Sequence, residues 1–118
     1  NYTYAYTAYP IKCAFSPEVP NNDGAFYPIS VKAPKGSLLN AQKPSPLGAR
    51  NITGNMLHSA VFGALAQAIP EKVQADCGSA CWCVVLNGMH KDKEYVEYFF
   101  LNGGYGARPN LDGEAVLR

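Results

Sequence analysis

Two arginines carry the chemistry that the residue types allow. Arg50 closes Gly48-Ala49-Arg50, and Arg108 closes Gly103-Gly104-Tyr105-Gly106-Ala107-Arg108. A guanidinium clamps phosphate or carboxylate through paired N–H donors, and glycines let backbone amides approach an anion closely. Arg50 also stands just before a run with helical spacing, where free amides at a helix start add to the same attraction. The spacing therefore allows Arg50, Gly103, Gly104, Gly106 and Arg108 to form an anion-holding pair of loops sharing one site. A plainer arrangement remains open at each. Asn51 or Thr53 caps the helix while Arg50 is a solvated flank, or the glycine segment is a tight turn with Arg108 paired to Asp112 or Glu114.

The remaining reactive side chains point elsewhere. Cys77, Cys81 and Cys83 crowd into seven residues, whereas a secreted disulfide framework spreads its cysteines out. In an extended segment Cys81 and Cys83 share a face, with Trp82 and Val84 on the other, so buried free thiols in a reducing, cytoplasmic compartment are expected. The C-x3-C-x-C spacing is not that of a structural zinc site, and no metal ligand is assigned to any residue here. His58 lies beside an apolar stripe and has no carboxylate close in sequence, so it is expected to be a satisfied, partly buried histidine rather than a general base. His90 is expected in a hairpin turn. Neither G-x-x-x-x-G-K-[ST] nor G-x-S-x-G occurs, so any ATP is bound elsewhere.

The elements that would position these residues follow from periodicity. The opening, Asn1 to Phe15, satisfies two patterns: Tyr2, Tyr4 and Tyr6 alternate as in a strand, while Tyr2, Ala5, Tyr6, Tyr9 and Cys13 follow helical spacing. Pro10 argues against a long unbroken helix. A dense turn signal from Ser16 to Gly24 closes that element. Phe26 to Ala33 is expected as a strand, with a second short one at Ser37 to Asn40.

The strongest helical signal comes next. Leu57, Val61, Ala64, Leu65 and Ala68 form an apolar stripe, and Pro70 stops it, placing a helix at about 52–69. Between Asn51 and Ile69 there is no Asp, Glu, Lys or Arg. A surface helix shows charge on its outer face, so this one is expected to be a buried helix, enclosed on most sides. The last third reads as a C-terminal β-hairpin at about 81–101, turning at Asn87-Gly88 or through His90 to Lys93. The fold class is α+β, with no internal boundary across residues 1–118.

Composition narrows the function classes. Hydrophobic residues make up 47% and charged residues 16% of 118 residues, which excludes intrinsic disorder. The net charge of +1 and scattered basic residues supply no field for nucleic acid or a membrane surface. No apolar run is long enough to span a bilayer. A domain this small struggles to bury an uncharged helix by itself, so the chain is expected to be an internal piece of a larger subunit.

Read in order, several segments carry a family resemblance. They are Pro20-Asn21-Asn22-Asp23-Gly24-Ala25-Phe26-Tyr27-Pro28-Ile29, Ala33-Pro34-Lys35-Gly36-Ser37-Leu38-Leu39-Asn40, Gly48-Ala49-Arg50, Gly63 to Pro70, and Asn102 to Glu114. Together they resemble the hydantoinase B/oxoprolinase family, with a match from Val19 onward. The Cys77 to Cys83 cluster is not a recognised feature of that family.

The resemblance implies part of the B-type subunit of an ATP-dependent cyclic-amide hydrolase opening hydantoin, 5-oxoproline or lactam rings. Its partner would be an A-type, actin-like ATPase subunit that holds ATP and Mg; the rest of the B-type subunit would carry any divalent metal. In that scheme ATP activates a carbonyl oxygen, and Arg50 and Arg108 receive the resulting anion. The same scaffold serves biotin-independent, ATP-dependent ketone carboxylases of the acetone and acetophenone type. A third reading makes the chain a structural or subunit-assembly segment; the piece in isolation is expected to be inactive.

Overall fold

The computed structural model describes residues 2–77, 82–101 and 103–115. Helix α1 spans Tyr2–Phe15, so the helical spacing of the opening tyrosines prevails over their alternation. Pro10 lies inside the helix without ending it, contrary to the expectation that it would interrupt. Its missing N–H costs one intrahelical bond, but its ring is fully buried, and packing offsets that loss. At the C-terminal end Lys12 is also buried. Its ammonium donates to the carbonyls of Pro17, at 3.3 Å, and Val19, tying the following turn to the helix.

The strand expected at Phe26 to Ala33 does not form. Asn22, in an extended conformation, caps a one-turn helix α2, Asp23–Phe26, its side chain accepting from the Ala25 amide at 3.0 Å. The amides of Tyr27 and Ile29 then bond to Asp23 and Phe26. The capped turn thus takes up the start of the expected strand, Phe26 to Pro28, while residues 29–33 continue without regular structure. Leu38–Asn40 forms a 3-10 turn rather than a second strand. Thr3 donates to the Leu39 carbonyl, so this turn is fastened to the start of α1.

Helix α3 runs Arg50–Leu65, starting two residues before the expected position. It ends four residues early because single turns through Ile69 replace the last part, ahead of the 3-10 turn Pro70–Lys72. Helices α1 and α3 pack closely where α3 has no side chain. A Cβ at Gly54 would come within 2.7 Å of the Tyr6 ring and 2.8 Å of the Tyr2 hydroxyl. The expected burial of α3 is not supplied by this chain: Gly54 is its buried residue, and the rest of the helix is half-buried or exposed.

The hairpin forms as expected. Strand β1, Trp82–His90, pairs antiparallel with β2, Lys93–Leu101, in the register Val84↔Phe99, Leu86↔Glu97 and His90↔Lys93. Of the two turns the sequence allowed, the one at Lys91-Asp92 is used. Both residues have positive φ, 47° and 61°, the backbone of the two-residue turn whose twist matches the strands. Gly88 stays within β1, under the Tyr95 ring.

Each face of this two-stranded sheet is apolar and open. Val84, Leu86, Tyr95 and Phe99 lie on one side, and Val85, Met89, Val96 and Tyr98 on the other, all exposed. The whole chain follows the same pattern. Its accessible surface is 9095 Å², against roughly 6,200 Å² for a folded monomer of this mass. Its radius of gyration is 17.4 Å, against about 13.5 Å for a compact domain of this length. The elements form, but their apolar faces need further protein to cover them.

Candidate functional site

Arg50 sits at the first turn of α3 beside an open cleft of about 420 Å³, lined by Tyr2, Thr3, Leu38 to Ala41 and Leu47. The cleft exists because Thr3 holds the 38–40 turn against α1 while Tyr2 packs on Gly54. The guanidinium lies over the Tyr2 ring, 5.1 Å from its centroid, a cation–π contact that orients it without neutralising it. Neither Asn51 nor Thr53 caps the helix. The N-cap is Ala49, in the left-handed region at φ 55°, with no side-chain hydrogen bond; the Ile52 amide donates to the Ala49 carbonyl at 3.0 Å, which leaves the amides of Arg50 and Asn51 at the helix start without a side-chain cap. Burial, then the neighbouring Tyr6, holds the Tyr2 phenol above its ordinary value, and it stays neutral in this cleft.

The glycine segment is placed differently. Tyr105 N–H donates to the Glu114 carbonyl at 2.9 Å, Ala75 N–H to the Ala107 carbonyl at 2.8 Å, and Arg108 N–H to the Leu111 carbonyl at 2.8 Å. Three stretches of backbone therefore lie against one another. Gly106 is buried where a Cβ would overlap the Ala75 carbonyl, and one at Gly113 would overlap the Tyr105 carbonyl. A Cβ at Gly104 would come to 3.0 Å from the Glu114 carbonyl. The glycines at 104 and 106 serve close backbone packing, and the amides of Tyr105 and Arg108 are spent inside the chain. Gly103 precedes this contact, half-buried.

Arg108 starts a tight turn, paired by backbone with Leu111, and its exposed side chain faces a second hollow of about 320 Å³. That hollow is lined by Cys13, Phe62, Glu71, Lys72 and Gln74 among others. Phe62 and Arg50 are twelve residues apart on α3, roughly 18 Å at the rise of an α-helix. The two Gly-Ala-Arg segments thus sit toward opposite ends of one helix and line separate hollows; this chain does not bring them together.

One constellation had no signal in sequence spacing. Cys77 Sγ lies 3.6 Å from His58 Nε2 and 4.0 Å from Ser59 Oγ. The partners are nineteen residues apart, and the chain's reversal after Pro70 joins them. His58 is half-buried, as expected, and a thiol is its partner. Cys13 and Cys77 are half-buried free thiols, while Cys83 is exposed, so burial of the cluster is not general. Cys81 lies outside the described residues. Among the described residues no group of three His, Cys, Asp or Glu side chains gathers.

Beside His58 is a third, apolar hollow of about 300 Å³, lined by Ala5, Tyr6, Tyr9 and Asn55. Interaction with Cys13, followed by burial, raises the Tyr9 phenol above the ordinary 10.0. Stability from a raised phenol is complete below the unfolded value and is lost as pH rises through the folded one. An absorbance titration at 295 nm should therefore show two tyrosines ionising late, Tyr2 and Tyr9, and Cys13→Ala should return Tyr9 alone toward 10.0; an unchanged curve would refute the coupling.

Comparison with known proteins bears on what this arrangement serves. The family described as hydantoinase B/oxoprolinase matches residues 1–118. The chain belongs to that family. It is 36% identical over 94 residues to the putative B subunit of a D-/L-hydantoinase from Pseudomonas sp. (strain NS671), covering 80% of this chain and 16% of that protein. It is 34% identical over 100 residues to the beta subunit of caprolactamase from Pseudomonas jessenii, covering 80% of this chain and 17% of the relative. An uncharacterized protein of Methanocaldococcus jannaschii is 29% identical over 105 residues, covering 88% of this chain and 18% of that protein. The chain thus spans about a sixth of the length of the relatives it matches, in keeping with the area it leaves uncovered. No solved structure matches. Among the described residues no helix is long and apolar enough to cross a membrane.

Proposed function

We propose that this chain is part of the B-type subunit of an ATP-dependent cyclic-amide hydrolase. The observation that carries the reading is that two relatives above 30% identity are named for cyclic amides, a hydantoin in one and caprolactam in the other. Both are five- to seven-membered rings closed by an amide whose resonance must be broken. Phosphorylation of the carbonyl oxygen by an ATP-bound, actin-like A-type partner provides a route. Each of the two relatives is named as one subunit of its enzyme, which supports a partner subunit. ATP and Mg belong to that partner, and any divalent metal to the rest of the B-type subunit. The free thiols at Cys13, Cys77 and Cys83 support a reducing, cytoplasmic setting.

In this reading Arg50, with the uncapped start of α3, holds an anionic group of the activated species in its cleft. Arg108, with Gly103, Gly104 and Gly106 shaping its loop, offers a second cationic point. A ketone carboxylase acting on acetone or acetophenone would use the same parts, and assaying the intact complex with hydantoin, 5-oxoproline or caprolactam against acetone plus bicarbonate separates the two.

A second reading has its own observation. The amides of Tyr105 and Arg108 are used within the chain, and the two arginines line separate hollows toward opposite ends of α3, the arrangement expected if these loops contact neighbouring protein. The test is Arg50→Ala and Arg108→Ala in the intact complex. Anion holding predicts a loss in ring opening of about 100-fold or more with the complex still assembled. An assembly role predicts that the subunits separate on size exclusion, and full activity in both variants would overturn the anion-holding role.

A further inference from the structure

We infer that Cys77 and His58, with the apolar hollow beside the imidazole, form a base-assisted thiol site that reacts with small uncharged carbon electrophiles. Three observations meet here. The thiol lies 3.6 Å from Nε2, within reach for the imidazole protonated at Nδ1 to accept the S–H. His58 belongs to a helix packed through Gly54 on α1, so the base is held by rigid elements. Its ring also lines the hollow of about 300 Å³ shared with Tyr6 and Tyr9, giving an apolar group somewhere to sit against the imidazole that faces the thiol.

Neither the family match nor the named relatives assign a role to this pair. In the reaction the sulfur forms a bond to the electrophilic carbon, the leaving group departs with its electron pair, and the thiol proton passes to His58 Nε2. A thiol next to such a base reacts faster than its exposure alone allows. Cys77 itself in the unfolded subunit supplies the reference, because there it is a solvated thiol without the imidazole beside it.

The test is alkylation of the reduced longer subunit at pH 7 with iodoacetamide, which releases iodide, Cys77 being followed by fragment-resolved mass spectrometry. Native Cys77 should react at least about ten times faster than the same thiol in concentrated urea. His58→Gln should lower the native Cys77 rate about tenfold and leave the rate in urea unchanged. N-benzyl iodoacetamide should raise the native-to-urea ratio further, through the hollow. A native Cys77 rate at or below its rate in urea would overturn the site whether or not the variant folds. Equal ratios for the two reagents would overturn the role of the hollow.

Discussion

Gly106→Ala is expected to cost this chain about 3 kcal/mol or more, the upper range for a group forced into filled space. The methyl would occupy the position of the Ala75 carbonyl, and a backbone carbonyl in a hydrogen-bonded contact cannot turn aside as a side chain can. Relief requires the 75–77 and 104–107 stretches to separate, which breaks the bond from Ala75 N–H to the Ala107 carbonyl. The same separation moves Cys77, two residues from Ala75, away from His58. Gly48→Ala is the control, since a Cβ there meets nothing within 4 Å. Urea denaturation of the longer subunit should show a lowered midpoint for Gly106→Ala and little change for Gly48→Ala. Equal midpoints would remove the packing explanation for this glycine.

That result bears on how the glycine-rich stretch is understood. Clustered glycines with an arginine are compatible both with an anion cradle and with crowded backbone, because each needs a missing Cβ. Nothing in the residue types separates the two. The separation lies in partners more than twenty residues away, at Ala75 and Asp76, which no local pattern reveals.

The hairpin was legible because alternation, β-branched and aromatic residues and a short polar turn all agree, and only the turn position stayed open between two choices. Helix α3 was legible for the same reason, its stripe and Pro70 marking it out. The strand expected at Phe26 to Ala33 failed at its start because Asn22, before the apolar run, caps a helical turn that ends on Phe26, and residues 29–33 continue without a strand partner among the described residues. Pro10 misled in the opposite direction: its burial within α1 outweighs the hydrogen bond it removes. The site was legible in its parts. Arg50 beside an open helix start follows from sequence, whereas its distance from Arg108 depends on the 103–108 loop packing near Phe62, toward the far end of α3, and the Cys77–His58 pair depends on the chain reversing after Pro70.

Substitution of Val85 by lysine should have opposite effects in two settings, the most direct reading of the uncovered hairpin. Val85 pairs with Tyr98 on one open face, and both are about half exposed or more, at 47% and 62%. In these 118 residues alone, an exposed two-sided apolar sheet with free edges invites association. Val85→Lys removes part of that patch and adds charge where solvent reaches. The isolated chain should then stay monomeric at concentrations where the parent associates, and it should bind less of a dye that reports apolar surface. In the longer subunit the same face is expected to lie under other elements, where an unpaired ammonium costs several kcal/mol. There the substitution should cut soluble yield several-fold and lower the unfolding midpoint. Val84→Lys, on the opposite face beside Phe99, distinguishes a sheet covered on one side from one covered on both. If both substitutions damage the longer subunit, the hairpin is an interior part of a larger sheet, flanked on each face as its two-sided apolar pattern requires. If neither does, the open faces are solvent-facing there too, and the large surface of this chain is an intrinsic property rather than the imprint of missing neighbours.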